Sequence, residues 1–223
     1  MLHPQILLSC PLFAGVAPDD LSSMLSCLGT ERRSSNKGEF ILEEGTPATD
    51  VGILLSGRAQ LILTDYYGNR SIILAIEPGE LFGESFACAQ AKRLPVSVVA
   101  DENCEYMLID CKRLLTGCSH ACAFHSQVIF NLLQIVASKN IALNQRAIIT
   151  SRRTTREKLL SFLHLQAKQA GAARFSIPFD RQELADYLEV DRSGLSAEMS
   201  KLKKEGALDY YKNSFHLLRQ LRD

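Results

Sequence analysis

"RQELADYLEVDRSGLSAEM" occupies residues 181–199, with Asp180 before it and Gly206 beyond its last apolar position. Asp180 stands just ahead of an apolar-periodic run and Glu183 follows three residues later, the pattern of an N-cap with its capping-box partner. Leu184, Tyr187 and Leu188 supply one buried face, and Ala185 is small enough for a second helix to approach. A tight turn at Glu189-Val190 leads to Asp191, a second N-cap. Leu195, Met199 and Leu202 then mark the buried stripe of a second helix, which stops at Gly206. Two short helices with a small residue fifth and an aliphatic residue fifteenth have the spacing of a helix-turn-helix. That turn ordinarily takes glycine where this chain has Glu189, so backbone strain is expected there. After Gly206, "ALDYYKNSFHLL" (207–218) alternates around Lys212-Asn213 as a two-stranded wing would.

The exposed first turns of the second helix offer Arg192, Ser193, Ser196 and Ala197. Arg192 is the one able to grip a guanine edge with two hydrogen bonds, the serines reach bases or phosphate, and Ala197 can touch a thymine methyl. Arg181 and Gln182 at the start of the first helix are placed for phosphates, as are Lys201, Lys203 and Lys204. The charge distribution agrees. Lysines and arginines balance aspartates and glutamates at 25 each, yet residues 146–223 carry 15 basic against 10 acidic side chains. The C-terminal third is therefore the basic part of a neutral chain.

Upstream, residues 36–110 read as β structure. The runs "EFILEE", "VGILLSG", "AQLILTD", "SIILAI", "VSVVA" and "YMLID" are separated by Gly38, Gly45, Gly57, Gly68 and Gly79, with prolines nearby. That rhythm belongs to an antiparallel sandwich or barrel, and Gly68-Asn69 reads as a hairpin turn. From about 112 to 149 the period becomes helical. With Leu133, Asn140 and Ala147 at heptad position a, Ile129, Val136, Leu143 and Thr150 fall at d. An Asn at a favours a parallel, in-register dimer, whereas a helix packed on the barrel would show similar periodicity. The DNA-reading segment that follows favours the dimer, with Ile129, Leu133, Val136, Asn140 and Leu143 at its interface. "TSRRTTREKLL" (150–160) reads as a hinge and a new helix start capped by Thr154 or Thr155, and Gly171 ends that helix.

This order resembles the cAMP receptor protein/FNR (Crp/Fnr) family of bacterial transcription regulators over nearly the whole chain. The residues carrying the likeness are "RQELADYLEVDRSGLSAEMSKLKKEG", "PGELFGESF" and "VGILLSGRAQL". The resemblance implies an α+β chain: a cyclic-nucleotide-binding-type β jelly roll over 1–115, a dimerisation helix over 116–150, and a C-terminal winged helix-turn-helix over 151–223. It further implies a homodimer on palindromic double-stranded DNA, a small-molecule effector, RNA polymerase as a partner, and a cytoplasmic location. Arg181 and Gln182 would meet the backbone, while Arg192, Ser193 and Ala197 would lie where the family reads bases. The best-known members have an acidic residue in place of Ser193 and Arg in place of Ala197, so their operator is not expected here.

The cAMP-binding members carry Gly-Glu followed, after a short spacer, by Arg-Ser. Gly83-Glu84 match the first pair. Ungapped alignment puts Leu94-Pro95 at the second, with Arg93 one residue early, and a one-residue slip in a strand turns a side chain to the other face. Leu94 cannot hold phosphate and Pro95 has no amide to donate. The helix region that meets adenine in the family has Ile141, Ala142 and Leu143, without a hydroxyl. The effector is therefore expected not to be cAMP. A pocket of Leu81, Phe82, Gly83, Glu84, Ser85 and Phe86, with Arg93, is expected to take another small acid or apolar ligand; a filled, structural pocket is the alternative.

Of the seven cysteines, Cys10 and Cys27 alone lie in the first 80 residues, which argues against an FNR-type iron–sulfur cluster. Cys118, Cys122 and His125, with His120 nearby, read as core fillers and a surface imidazole, with a metal, haem or thiol switch as the alternative. The apolar start lacks a basic region and is broken by Pro4 and Pro11, so a signal peptide is not expected, and the thiols should be reduced. A cupin enzyme would need clustered histidines, and the barrel has none between His3 and His120. With no P-loop, nucleophile elbow or CxxC pair either, no catalytic residue, metal ligand or enzymatic activity is expected.

Overall fold

A computed structural model describes residues 4–64, 66, 70–116 and 123–218, in two compact units spanning 1–138 and 139–223. The Gly68-Asn69 turn and the side chains of Cys118, His120 and Cys122 lie outside the described residues.

The first unit is built on two four-stranded antiparallel sheets. One orders β1 (Glu31–Ser35), β8 (Cys104–Asp110), β3 (Asp50–Ser56) and β6 (Leu81–Phe82); the other orders β2 (Phe40–Leu42), β7 (Ser97–Ala100), β4 (Ala59–Thr64) and β5 (Arg70–Ile76). The run "VGILLS" is continuous rather than alternating because β3 is buried on both faces. Val51, Ile53 and Leu55 point to a core shared with helices, whereas Leu54 joins the interior between the sheets. In β8, Met107 and Ile109 serve the helical core, while Cys104, Tyr106 and Leu108 serve the interior. The helical layer comprises α1 (Pro4–Ser9), a 3-10 turn at Pro11–Phe13, α2 (Pro18–Cys27), α3 (Glu84–Cys88), α4 (Cys111–Thr116) and α5 (Ala123–Thr150).

Buried polar groups tie that layer down. The Asn131 side chain donates to the carbonyls of Leu12 and Ala14, both at 2.9 Å, closing the N-terminal segment onto α5. His125 is buried, and its Nε2 lies 3.1 and 2.9 Å from the carbonyl oxygens of Arg113 and Leu114 at the end of α4. This imidazole is a helix-end partner rather than the surface group expected from the sequence.

The periodicity of α5 proves to contain two apolar rows. Val128 and Leu132 are buried in the helical core, and Ile135 and Val136 pack against it. Val136, placed in the dimer seam by heptad spacing, therefore faces its own barrel, and Ile129 is half-buried. Phe130, Leu133, Ile141, Leu143 and Ile148 are exposed, as is Asn140. At 3.6 residues per turn, Phe130, Leu133, Ala137, Ile141, Asn144 and Ile148 share one face. Spacing alone could not say which row met the barrel.

The second unit opens at residue 139 within α5 and continues with α6 (Thr155–Ala170), β9 (Arg174–Ser176), α7 (Arg181–Leu188), α8 (Arg192–Lys204), β10 (Leu208–Tyr211) and β11 (Ser214–Leu217). Thr154 caps α6 in a reciprocal box with Glu157, and Gly171 ends it in the left-handed conformation. Leu159, Phe162, Leu163, Leu184, Leu188, Leu195, Met199, Leu202 and Phe215 form one core. The wing has three strands, ordered β10-β11-β9, rather than the two expected. The third, β9, is three residues long, too short to show a period in the sequence.

Gly52 on β3 lets the Phe82 ring lie against the backbone, since a Cβ at 52 would collide with that ring. Gly52→Ala should therefore destabilise the first unit by about 1–3 kcal/mol through overpacking. Phe82→Leu in the same chain should recover most of the loss, as read by chemical denaturation.

Candidate nucleic-acid interface

The recognition element is fixed at both ends before any ligand is considered. Asp180 caps α7, accepting from the Glu183 amide at 2.8 Å, while the Glu183 carboxylate accepts from the Asp180 amide at 2.7 Å. Asp191 caps α8, accepting from the Gly194 amide at 2.8 Å and also from the Ser193 hydroxyl. Those two bonds, the hydroxyl's first, hold the Asp191 carboxyl below its ordinary value. The cap is thus complete above the unfolded aspartate value of about 3.9 and is lost as pH falls through the lower folded value.

Between the helices Glu189 sits at φ 53° and ψ 55°, the left-handed conformation expected for the missing glycine. Two cations stabilise this junction. Lys158 donates to the carbonyls of Leu188 (3.1 Å) and Glu189 (3.2 Å). Arg146 donates to the Asp186 carbonyl at 3.5 Å, with its guanidinium 5.2 Å from the Tyr187 ring centre. Both act on the carbonyl end of α7, where positive charge is favoured.

On α8, Arg192, Ser193, Ala197, Ser200, Lys201 and Lys204 are exposed, and Ser196 is half-buried. Among the described residues no ion pair involves Arg192 or Lys204. Lys201 lies 3.6 Å from Glu198. Lys203 is held 2.6 Å from Asp209, so it serves the wing. The buried side of α8 is anchored by Arg156, which meets Glu205 through two bonds at 3.0 and 2.5 Å and Glu198 at 3.3 Å. Ser193 is tied to Asp191 as a donor, leaving its hydroxyl oxygen to accept.

Arg181 is less available than the sequence suggests. Its guanidinium is half-buried, lies 5.3 Å from the Tyr210 ring centre, and donates to Met199 Sδ and, at 3.4 Å, to the Lys212 carbonyl. It braces α7, α8 and the wing together, and burial, more than the nearby Arg192 charge, lowers its pKa. Gln182 is exposed and donates to Asp186 at 2.8 Å. Arg146, Arg156 and Lys158 carry no local sequence signal for their roles, because their partners are 30 or more residues away.

The residues of the expected effector segment face different surroundings. Leu81 joins the helical core, and Phe82 joins the interior with its ring edge-on to Tyr106 at 6.3 Å between centroids. Gly83 adopts φ 76°, where a Cβ would lie 3.0 Å from Leu42 and 3.2 Å from the Asp50 carbonyl oxygen. Glu84 is buried, while Ser85 is exposed and donates to it at 3.3 Å. Arg93 is exposed. Leu94 is 3% exposed, its amide donating to Thr46 at 2.8 Å and its carbonyl accepting from Gly45 at 2.9 Å.

Residues 32–120 match the cyclic nucleotide-binding domain family, and residues 157–222 match the Crp-like helix-turn-helix domain family. The chain belongs to the Crp/Fnr family of transcription regulators. Over 191 residues it is 24% identical to the transcriptional activator protein FnrL of Cereibacter sphaeroides, covering 79% of this chain and 71% of FnrL. Over 99 residues it is 31% identical to the cyclic AMP receptor protein of Thermus thermophilus, spanning 44% of each. Among solved structures, the Thermus thermophilus catabolite activator protein superposes with TM-score 0.52 at 24% identity, covering 93% of both chains. The c-di-GMP responsive regulator CLP of Xanthomonas campestris gives TM-score 0.56 at 17% identity over 92% of this chain and 100% of that one. These structural likenesses show the fold. Among the described residues, no helix is long and apolar enough to cross a membrane, and no group of three or more His, Cys, Asp or Glu is placed to hold a metal ion.

The left-handed turn gives the Crp/Fnr reader a testable signature. Glu189→Gly should raise the stability of the second unit by up to about 1 kcal/mol by relieving a left-handed side chain. Asp191→Ala should lower it by about 1 kcal/mol through the lost cap. Thermal unfolding followed by circular dichroism reads both.

Proposed function

We propose that the chain acts as a homodimer that reads a palindromic DNA site through α8, with half-sites about 34 Å apart. The observation that carries this reading is the exposed face of α8. Arg192, Ser193, Ser196 and Ala197 present one bidentate donor, two hydroxyls and a methyl, with Lys201 and Lys204 beside them, on a helix anchored from behind by Arg156. Such a face offers direct readout near the helix start and phosphate contacts toward its end. Gln182, and the edge of Arg181 left free by its brace, add backbone contacts. The exposed row of Phe130, Leu133, Ile141 and Ile148, with Asn140 beside it, supports α5 as the dimer surface, and Leu143, also exposed, continues the row of Val136 beyond the barrel. RNA polymerase is the partner this role requires.

On control, cAMP is disfavoured by the Leu94 side chain, which is buried where a cationic phosphate clamp would stand, and by the Leu94 amide, already committed to Thr46. An effector of different chemistry, held near Gly83, Glu84, Ser85 and Arg93, is one reading. The ring of Phe82, locked between Gly52 and Tyr106, favours a second in which the barrel is filled and needs no ligand.

Selection from random duplexes with the purified protein should enrich a two-fold symmetric sequence. Binding that stays insensitive to salt, or that enriches nothing, would sink the proposal. Against the selected site, Arg192→Ala should weaken binding about ten- to a hundredfold and relax one base position, whereas Lys204→Ala should weaken all duplexes alike and lower the salt slope by about one. Leu133→Asp should yield monomers by sedimentation equilibrium and reduce affinity for the full palindrome; a persistent dimer would place the interface elsewhere.

A further inference from the structure

Cys88 closes α3 and Cys111 opens α4, 23 positions apart in sequence, yet the Cys111 thiol donates to the Cys88 sulfur across 3.8 Å. Cys111 is buried, and its backbone is fixed by an amide bond to the Thr49 carbonyl at 2.9 Å. Cys88 is half-buried and is the more exposed residue of the pair. Among the described residues the other buried thiols have different neighbours: Cys104 donates to the carbonyls of Arg58 and Glu102 at 3.2 and 3.3 Å, and Cys10 sits ahead of the 3-10 turn at Pro11–Phe13. A disulfide needs its sulfurs about 2.0 Å apart. The remaining distance is shorter than the sweep of a cysteine sulfur about χ1.

We propose that Cys88 and Cys111 form a reversible intramolecular disulfide, a modification site through which hydroperoxides alter DNA binding. The Cys88 sulfur attacks a peroxide oxygen; the O–O bond breaks, a sulfenic acid forms, and the departing hydroxide or alkoxide takes the thiol proton to leave as water or an alcohol. The Cys111 sulfur then attacks the Cys88 sulfur; the S–S bond forms, the S–O bond breaks, and the sulfenic hydroxide leaves as water with the Cys111 proton. Two thiols lose two electrons and one peroxide gains them.

Burial raises both thiols, Cys111 to about 12; Cys88 and then Asp110 and Asp50 add to the rise at Cys111, and Glu84 adds to it at Cys88 while the Cys111 hydrogen bond opposes it. The pair is therefore protonated at neutral pH and should react slowly, faster as pH rises. The bond would close the segment 88–111, which holds Leu94 and all of β7, and tie the end of the Gly83-Glu84 helix to α4. Only the effect on DNA rests on the regulator reading; the bond itself does not.

The test treats the intact protein with hydrogen peroxide, alkylates remaining thiols, and maps tryptic peptides by mass spectrometry. Cleavage at Arg93 and Lys112 separates the two cysteines, and fragmentation distinguishes Cys111 from Cys104 in the second peptide. The expected result is a Cys88–Cys111 cross-link that dithiothreitol reverses and that is absent in Cys88→Ser and in Cys111→Ser. Affinity for the selected duplex should differ about fivefold or more between reduced and oxidised protein, and neither variant should show the difference. Cys88→Ala supplies a second variant if either serine substitution unfolds the barrel. Alkylation of both sulfurs after peroxide, or cross-links joining other cysteines, overturns the site. A correct cross-link with unchanged affinity overturns its regulatory role. Reduced protein that binds no duplex fails the DNA-reading proposal while the peptide map still decides the bond.

Discussion

The angle between α7 and α8 depends on a three-residue junction, Glu189 to Asp191, held in a conformation its sequence does not favour. Glu189 carries a Cβ into left-handed space, and a glycine would adopt that backbone more easily. What holds it is the Asp191 cap at the start of α8 and two cations, Arg146 from α5 and Lys158 from α6, that reach the carbonyls at the end of α7 and the turn. The exposed groups of α8 can be a reading surface only if this junction keeps its shape. Arg156 then locks the helix from behind, and Arg181 couples it to the wing. The charges of this unit thus divide between structure and availability. Arg146, Lys158, Arg156, Arg181 and Lys203 hold the fold, while Arg192 and Lys204 stay exposed.

The first unit follows a different constraint, the double burial of the β3–β8 sheet. One face takes helices and the other faces the second sheet, so each residue along these strands is committed to a side. β6 follows the same alternation with two residues, sending Leu81 one way and Phe82 the other. Gly52 is the position where this packing needs no side chain at all, and the Phe82 ring fills the vacated space.

Much of the reader was legible in the sequence because its signals are local. Caps at Asp180 and Asp191, the stripe of Leu195, Met199 and Leu202, the stop at Gly206 and the Lys212-Asn213 turn each depend on neighbours within one or two helical turns. The strained position at Glu189 was visible as a departure from glycine. Six strands of the first unit, β2, β3, β4, β5, β7 and β8, were readable from apolar runs between glycines, whereas β1, the polar run ERRSS, carries no apolar residue to mark it. What escaped was short or tertiary: β9 and β6 are too brief to show a period, and α3 interrupts a β-rich stretch with a single turn and a half. The face of α5 is ambiguous in the sequence because it carries two apolar rows, and half-buried Val136 packs against the core of the first unit. The effector segment mixes buried and exposed positions, because along it Leu81 and Phe82 turn to opposite sides while Ser85 and Arg93 face outward. The contact of Cys88 with Cys111, like the bracing of Arg181, exists only once the chain is folded.

The buried clusters of the two units share no residue. Substitutions within one core should therefore leave the energetics of the other nearly additive. For descent with modification this separates two kinds of change. A barrel can gain or lose a cavity through the size of the side chain at 82, opposite Gly52, while the exposed groups of α8 stay as they are. The packing around Gly52 and the exposed face of α8 become independently heritable traits of one polypeptide, so that a duplicated copy could diverge in one while keeping the other.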